Sequence, residues 1–259
     1  MSKVWDASEG CQESEITLSV WYCIPSARPP EQVEPIVALW HERGYKVALW
    51  RDEGPLSCAD MNTVGPYQGY GASVNALARG VLAGDPSCDW IVTGGDDTLP
   101  DPNHTAEEIA EQCSEYSRGL LYNGFNHCIP SSTFLVMQPT GDRFAGGSID
   151  RIAGSPWMGR EWCLRINQGK GPLWPEYKHM FDDEELQCVA TKLGVFWQRP
   201  DLVHLHRHFQ RESDALDAKA VARPIPPHLV KANSKEHWDR VKALFEWRKA
   251  NNFPGHEPL

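Results

Sequence analysis

The stretch "DWIVTGGDDTLPDPN", residues 89 to 103, sets two adjacent aspartates, Asp96 and Asp97, just past a run that reads as a buried strand, Trp90 to Val92. Neighbouring carboxylates on a sharp loop repel each other unless a cation sits beside them. Oxygen donors of this kind suit Mg²⁺ or Mn²⁺, usually shared with the phosphates of a substrate. Polar turn chemistry alone would also account for Gly-Gly-Asp-Asp-Thr. Two further stretches speak for more than a turn. "FDDEEL", 181 to 186, places four carboxylates at the start of a helix, where acids also favour the helix dipole. "LVHLHRHF", 202 to 209, carries His204, His206 and His208 at alternate positions. On a strand these would share one face, as metal ligands or phosphate contacts; loop histidines at the surface are the plainer alternative.

The elements that must hold these groups follow from pattern. "ITLSVWYCI", 16 to 24, is β-branched and aromatic and stops at Pro25, as a central strand does. Val33, Ile36, Val37 and Trp40 form one face of a helix that ends near Gly44. "YKVALW", 45 to 50, is a second strand, ending on Arg51 and Asp52. A glycine-rich loop, "GPYQGYG", leads into a helix from about Ala72 to Leu82. The third strand leads to the aspartate pair, and Thr105 with Glu108 has the spacing of a capping box opening another helix. This alternation predicts an α/β layer with parallel strands. Farther on, "TFLVMQ" (133 to 138), "VFWQ" and "LVHLH" read as strands. Leu186, Val189, Ala190 and Leu193 read as a helix stopped by Gly194, and residues 154 to 180 as loops. Asn233 and Glu236 cap a last helix carrying Trp238, Val241, Phe245 and Arg248.

With 259 residues and 41% hydrophobic composition, the chain suits one large domain, or a domain with an appendage. It has no run of 18 apolar residues, which predicts no membrane-spanning helix, and residues 1 to 15 lack the apolar core of a signal peptide. The eight cysteines have no zinc-like spacing and read as reduced thiols of a cytoplasmic protein. The net charge of −10 argues against a general nucleic-acid coat. Residues 219 to 249, however, hold eight Lys or Arg against three acids, a tail suited to a polyanion or simply to solvent.

Over residues 16 to 209, the order of elements resembles that of nucleotide-sugar-dependent glycosyltransferases of the GT-A fold, most of all the large inverting group. The carriers are "GASVNALARGVLAGDPSCDWIVTGGDD", "DDEEL" and the histidine strand. The resemblance implies a Rossmann-like mixed sheet flanked by helices over residues 1 to 210, with a basic helical extension, 211 to 259, packed on it. It implies a divalent cation, Mn²⁺ or Mg²⁺, on Asp97 and on His204 or His206. "GGDD" departs from the family's Asp-x-Asp, since Gly95 stands where a first acid often does. The donor, most commonly a uridine diphosphate sugar, would be held by Pro25 and Arg28 in the turn "PSAR", by Asp52, Asn75 and Asp96, and by Gly154 near the sugar. Asp183, with Asp182 beside it, would be the catalytic base. The segment 154 to 181, with Trp157, Arg160 and Trp162, would face the acceptor, although these tryptophans could instead pack a loop-rich half.

The Trp-rich segment and the ending "HWDRVKALFEWRKANNFPGHE" further resemble small phage-encoded glycosyltransferases associated with TET-like dioxygenases. That likeness implies hydroxymethylated pyrimidines of double-stranded DNA as acceptor and the host cytoplasm as location. A protein, glycan or small molecule is the alternative acceptor. A metal-dependent phosphoesterase and a non-catalytic nucleotide-sugar binding module are the rival functions; release of free sugar marks the first and binding without turnover the second.

Overall fold

The computed structural model describes residues 19–122 and 133–259. Seven strands form one mixed sheet. β1 (Ser19–Pro25) lies inside it, with β2 (Lys46–Arg51) and then β3 (Met61–Val64) parallel on one side. β4 (Cys88–Val92) pairs parallel to β1 on the other side. Next in space comes β7 (Trp157–Gly159), antiparallel to both β4 and β6 (Val136–Pro139). β8 (Phe196–Arg199) closes the sheet, parallel to β6. Two short strands, β5 (Thr98–Leu99) and β9 (Leu205–His206), form a separate antiparallel pair that sets Thr98 opposite His206.

Period-two alternation in β1 builds both cores. Val20, Tyr22 and Ile24 face one side, against α1 (Pro30–Glu42) and α3 (Ala106–Tyr122), through Val33, Val37, Trp40, Ile109 and Cys113. Trp21 and Cys23 face the other side, which is covered by α2 (Tyr70–Gly84), α4 (Arg160–Arg165), α5 (Asp182–Lys192) and α6 (Lys235–Ala250). The result is a sheet between two helical layers. None of the helices among the described residues is long and apolar enough to cross a membrane. All six cysteines there are free thiols; Cys11 and Cys128 lie outside the described residues.

The chain runs outward from β1 through β2 to β3, then returns to place β4 on the opposite flank of β1. The order therefore reverses between β1 and β4, and their carboxyl ends flank the kind of crevice in which open α/β sheets bind ligands. Pro25–Arg28 and Thr93–Asp97 follow directly from those two ends.

Several local expectations change. Residues 16 to 18 of the first expected strand lie outside the described residues. β3 was not singled out in the sequence, and its four residues show no burial alternation to announce it. The segment 154 to 180 is not all loop, for it supplies β7 from inside the sheet and then α4. The last helix is capped by Ser234, not Asn233: the Ser234 hydroxyl accepts from His237 N at 3.3 Å. α6 is fixed to the body by a buried ion pair, with Arg248 Nη2 donating to Glu185 Oε1 at 2.7 Å and Tyr177 donating to Glu185 Oε2 at 2.7 Å. One of the eight basic residues of the tail is thus committed inside the protein, over the ring of Trp174 at 3.4 Å.

The capping box is present. Thr105 N donates to Glu108 Oε2 at 2.8 Å, and Glu108 N donates to Thr105 Oγ1 at 3.3 Å. Thr105→Ala should therefore lower stability by about 1 kcal/mol. Urea unfolding checks this, with a lower midpoint at unchanged slope as the expected result.

Candidate functional site

Five side chains converge at the crevice. Arg28, from the turn after β1, reaches across to the loop after β4: its Nε lies 2.7 Å from Asp96 Oδ1 and its Nη2 lies 2.8 Å from Asp97 Oδ2. Ser26 Oγ donates to Asp96 Oδ2 at 2.7 Å. His206, carried by β9, sets Nε2 3.1 Å from Asp97 Oδ1. Burial alone would raise the Asp97 carboxyl, but the hydrogen bond and charge of His206, with the charges of Arg28 and His208, hold it below the usual range.

The loop is held from beneath by hydroxyls that the sequence pattern did not single out. Tyr22 donates to Gly95 O at 2.7 Å, and Ser155 Oγ donates to Thr93 O at 2.9 Å. The Tyr70 hydroxyl lies 2.9 Å from Thr93 Oγ1. Gly95 is tightly placed: a Cβ there would come within 2.5 Å of Asp97 Oδ1. A side chain at position 95 would push that of Asp97 aside. Tyr22 was legible as an inward residue of β1, whereas nothing in the glycine-rich loop marked Tyr70 as a brace.

The start of α5 packs on the start of α2, where Asp182 lies against Gly71, and the neighbouring Tyr70 hydroxyl, bonded to Thr93, is pushed up chiefly by burial. Asp182 is 2% exposed, and neither of its carboxyl oxygens has a hydrogen-bond partner. Its Oδ1 packs on Gly71, where a Cβ would lie 2.4 Å away. Burial, with Asp183 beside it, drives its carboxyl well above the ordinary range. Asp183 is half-buried; burial pushes its carboxyl up to about 6, against a hydrogen bond from Glu184 N at 2.9 Å. Of the two, Asp183 ionises near neutral pH, the range suited to a base.

The histidine stripe divides. Only Leu205 and His206 are strand, so nothing holds the alternate positions on one face. His206 turns to Asp97, and the His208 ring lies 5.2 Å from that of His206. His204 turns into the core, 5% exposed, edge-on to Trp40 and 2.7 Å from Ser155 Oγ through Nδ1. Burial lowers it to about 4, so it is neutral, and Nδ1–H donates to Ser155. His204 is therefore removed from the metal set: it braces the loop through Ser155. His206→Ala should raise the Mn²⁺ concentration needed for half-maximal turnover. His204→Ala should leave that requirement unchanged and lower stability by about 1 to 3 kcal/mol, by stranding buried polar groups. Metal titrations and thermal unfolding of both variants decide this, and a changed metal requirement in His204→Ala would contradict it.

Other expected contacts fall elsewhere. Asn75 is buried in α2 and bridges Leu173, donating to its carbonyl at 2.8 Å and accepting from its N–H at 3.0 Å, so it braces the fold and faces no donor. Trp157 and Trp162 are 0% and 1% exposed, filling the two cores, and cannot stack on an acceptor. The Arg160 guanidinium donates to Cys88 O at 2.9 Å and Leu82 O at 3.2 Å, at the amino end of β4 and away from the aspartates. Arg51 also points inward, donating to Arg28 O at 2.9 Å and Gly54 O at 3.1 Å, which shapes the "PSAR" turn. Asp52 stays exposed at the end of β2, Pro25 ends β1, and Gly154 is exposed next to Ser155.

Asp97 and His206 together offer a carboxylate and an imidazole. No group of three His, Cys, Asp or Glu converges among the described residues. Two protein donors suit a hard divalent cation whose remaining ligands are phosphate oxygens and water. No protein-family model matches the sequence, and comparison with curated proteins finds no match.

Proposed function

We propose that the protein is a metal-dependent glycosyltransferase of GT-A type, moving a sugar from a nucleotide-sugar donor to an acceptor hydroxyl. The observation that carries this reading is the meeting of Arg28, Asp96, Asp97 and His206 at the reversal between β1 and β4. A crevice with both cationic and anionic arms suits a nucleoside diphosphate and its counter-cation.

Asp97 and His206 would hold Mn²⁺ or Mg²⁺, which when bound takes up the charge developing on the departing diphosphate. Arg28 would bind phosphate oxygens, and Asp52 the nucleoside, most simply uridine. Asp96 and Gly154 would line the sugar. Asp183 accepts the proton of the acceptor hydroxyl while that oxygen forms its bond to the anomeric carbon. The bond to the nucleoside diphosphate breaks with its electron pair passing to the leaving oxygen. Attack opposite the leaving group inverts the anomeric centre.

The favoured acceptor is a 5-hydroxymethylpyrimidine in duplex DNA. Lys231, Lys235, Arg240 and Lys242, exposed on and before α6, suit its phosphates. A mass-spectrometric screen of sugar nucleotides against duplexes bearing 5-hydroxymethylcytosine tests the pairing. Transfer to another hydroxylated acceptor would keep the chemistry and replace the DNA.

A further inference from the structure

In the free protein all four oxygens of the aspartate pair have protein partners. Arg28 takes one oxygen of each residue, Ser26 the second of Asp96, and His206 the second of Asp97. A hydrated cation arriving alone would have to break the contact between Arg28 Nη2 and Asp97 and leave the guanidinium with Asp96 alone. Charge-assisted hydrogen bonds from a partly desolvated arginine are among the stronger ones in proteins. A cation that arrives with a diphosphate changes the exchange, because the displaced guanidinium then has an anion matched to its planar fork. The backbone of Arg28 is held by Arg51 on its carbonyl at 2.9 Å and by Ser26 Oγ on its N–H at 3.3 Å. The side chain is 26% exposed, so it has room to move while its base stays in place.

We propose that Arg28 makes divalent-cation binding conditional on the nucleoside diphosphate: the guanidinium covers Asp97 in the free protein and passes to the phosphates when both ligands arrive together. This rests on the nucleotide-sugar reading of the site. It assigns Arg28 a positioning role that selects the cation–diphosphate pair over a bare cation.

The test is Mn²⁺ binding by electron paramagnetic resonance of the free ion, with and without uridine diphosphate, for wild type and Arg28→Ala. Without nucleotide, the variant should bind Mn²⁺ about tenfold more tightly or better, as expected for loss of one charge-assisted contact competing for Asp97. In the presence of Mn²⁺, the variant's affinity for uridine diphosphate should fall by about tenfold for the same reason. Arg28→Gln keeps the chain length without the charge and should behave like Arg28→Ala, with thermal unfolding confirming that each variant is folded. Measurable Mn²⁺ binding of equal strength in wild type and both variants, without nucleotide, overturns the role of Arg28 and leaves the site reading standing. Absence of Mn²⁺ binding in all three proteins, even with uridine diphosphate, overturns the site reading and the inference together.

Discussion

Asp97→Ala is expected to leave a folded protein that has lost roughly a thousandfold or more of its transfer rate, the scale seen when a preorganised electrostatic contact to a leaving group is removed. Asp97 joins the loop after β4 to both Arg28 and His206. Without its carboxylate the cation site retains a single imidazole, and Arg28 is left with Asp96 alone. The fold should survive. The side chain is at the crevice, 16% exposed, while the loop is held independently by Tyr22, Ser155 and the backbone bond from Arg207 N to Asp97 O at 2.8 Å. Some stability at neutral pH should go with the carboxylate. A carboxyl held below its ordinary range stabilises the protein above the unfolded-state value, and that contribution is lost as pH falls through the folded one. Initial rates across a Mn²⁺ series, beside thermal melts, make the check. A variant with near wild-type turnover, or full wild-type activity in excess chelator, would remove the cation from the account.

Asp183→Asn should lower the transfer rate by roughly a hundredfold to ten-thousandfold, the range of a general-base contribution. Asparagine keeps the size and polarity and removes only the proton acceptor. Donor affinity should be unchanged, because Arg28 and Asp97 are paired with Asp96 and His206 and not with Asp183. The pH profile gives a second readout. With the Asp183 carboxyl raised to about 6, wild-type activity should fall as pH drops through about 6, and the residual activity of the variant should lose that limb. The same elevation acts on stability in the opposite sense. The group favours the folded state at low pH, and this advantage is lost as pH rises from its ordinary range to about 6. Asp182→Asn is the matched control. Because burial against Gly71 favours the uncharged form of Asp182, its amide should retain most of the activity. Calorimetric donor affinity with rates for the same variants separates the roles. If Asp183→Asn abolished donor binding, Asp183 would belong with the donor and not with the acceptor.

The parts of the molecule most legible in the sequence were those in which one local pattern decides the outcome. Trp90 to Val92 had to be a buried strand, and the aspartates had to follow its end. Thr105 and Glu108 announced their helix through a contact between neighbours in the chain. The carboxylates of "FDDEEL" open α5 as their spacing implies. The misreadings arose where tertiary packing chose between equal local options. Trp157 and Trp162 could have faced solvent or core, and a three-residue strand threaded between β4 and β6 sent Trp157 inward. The alternate histidines carried the period of a strand, but pairing with Thr98 and Leu99 extends over two residues only, so His204 and His206 part company. Asn75 suited a ligand as well as it suited the carbonyl of Leu173, 98 positions away, and no periodicity records a contact at that separation. Arg28 presents the same situation with the other outcome: a solvated arginine and one bridging two acids look identical until β1 and β4 lie side by side.

The most direct measurement is the mass of both products when the protein meets a uridine diphosphate sugar, Mn²⁺ and a duplex bearing 5-hydroxymethylcytosine. The account predicts an acceptor heavier by one glycosyl residue and one uridine diphosphate released per transfer, with neither product formed by Asp97→Ala. Free sugar released in step with the nucleotide, while every hydroxylated acceptor tried keeps its mass and Asp97→Ala does the same, would contradict it.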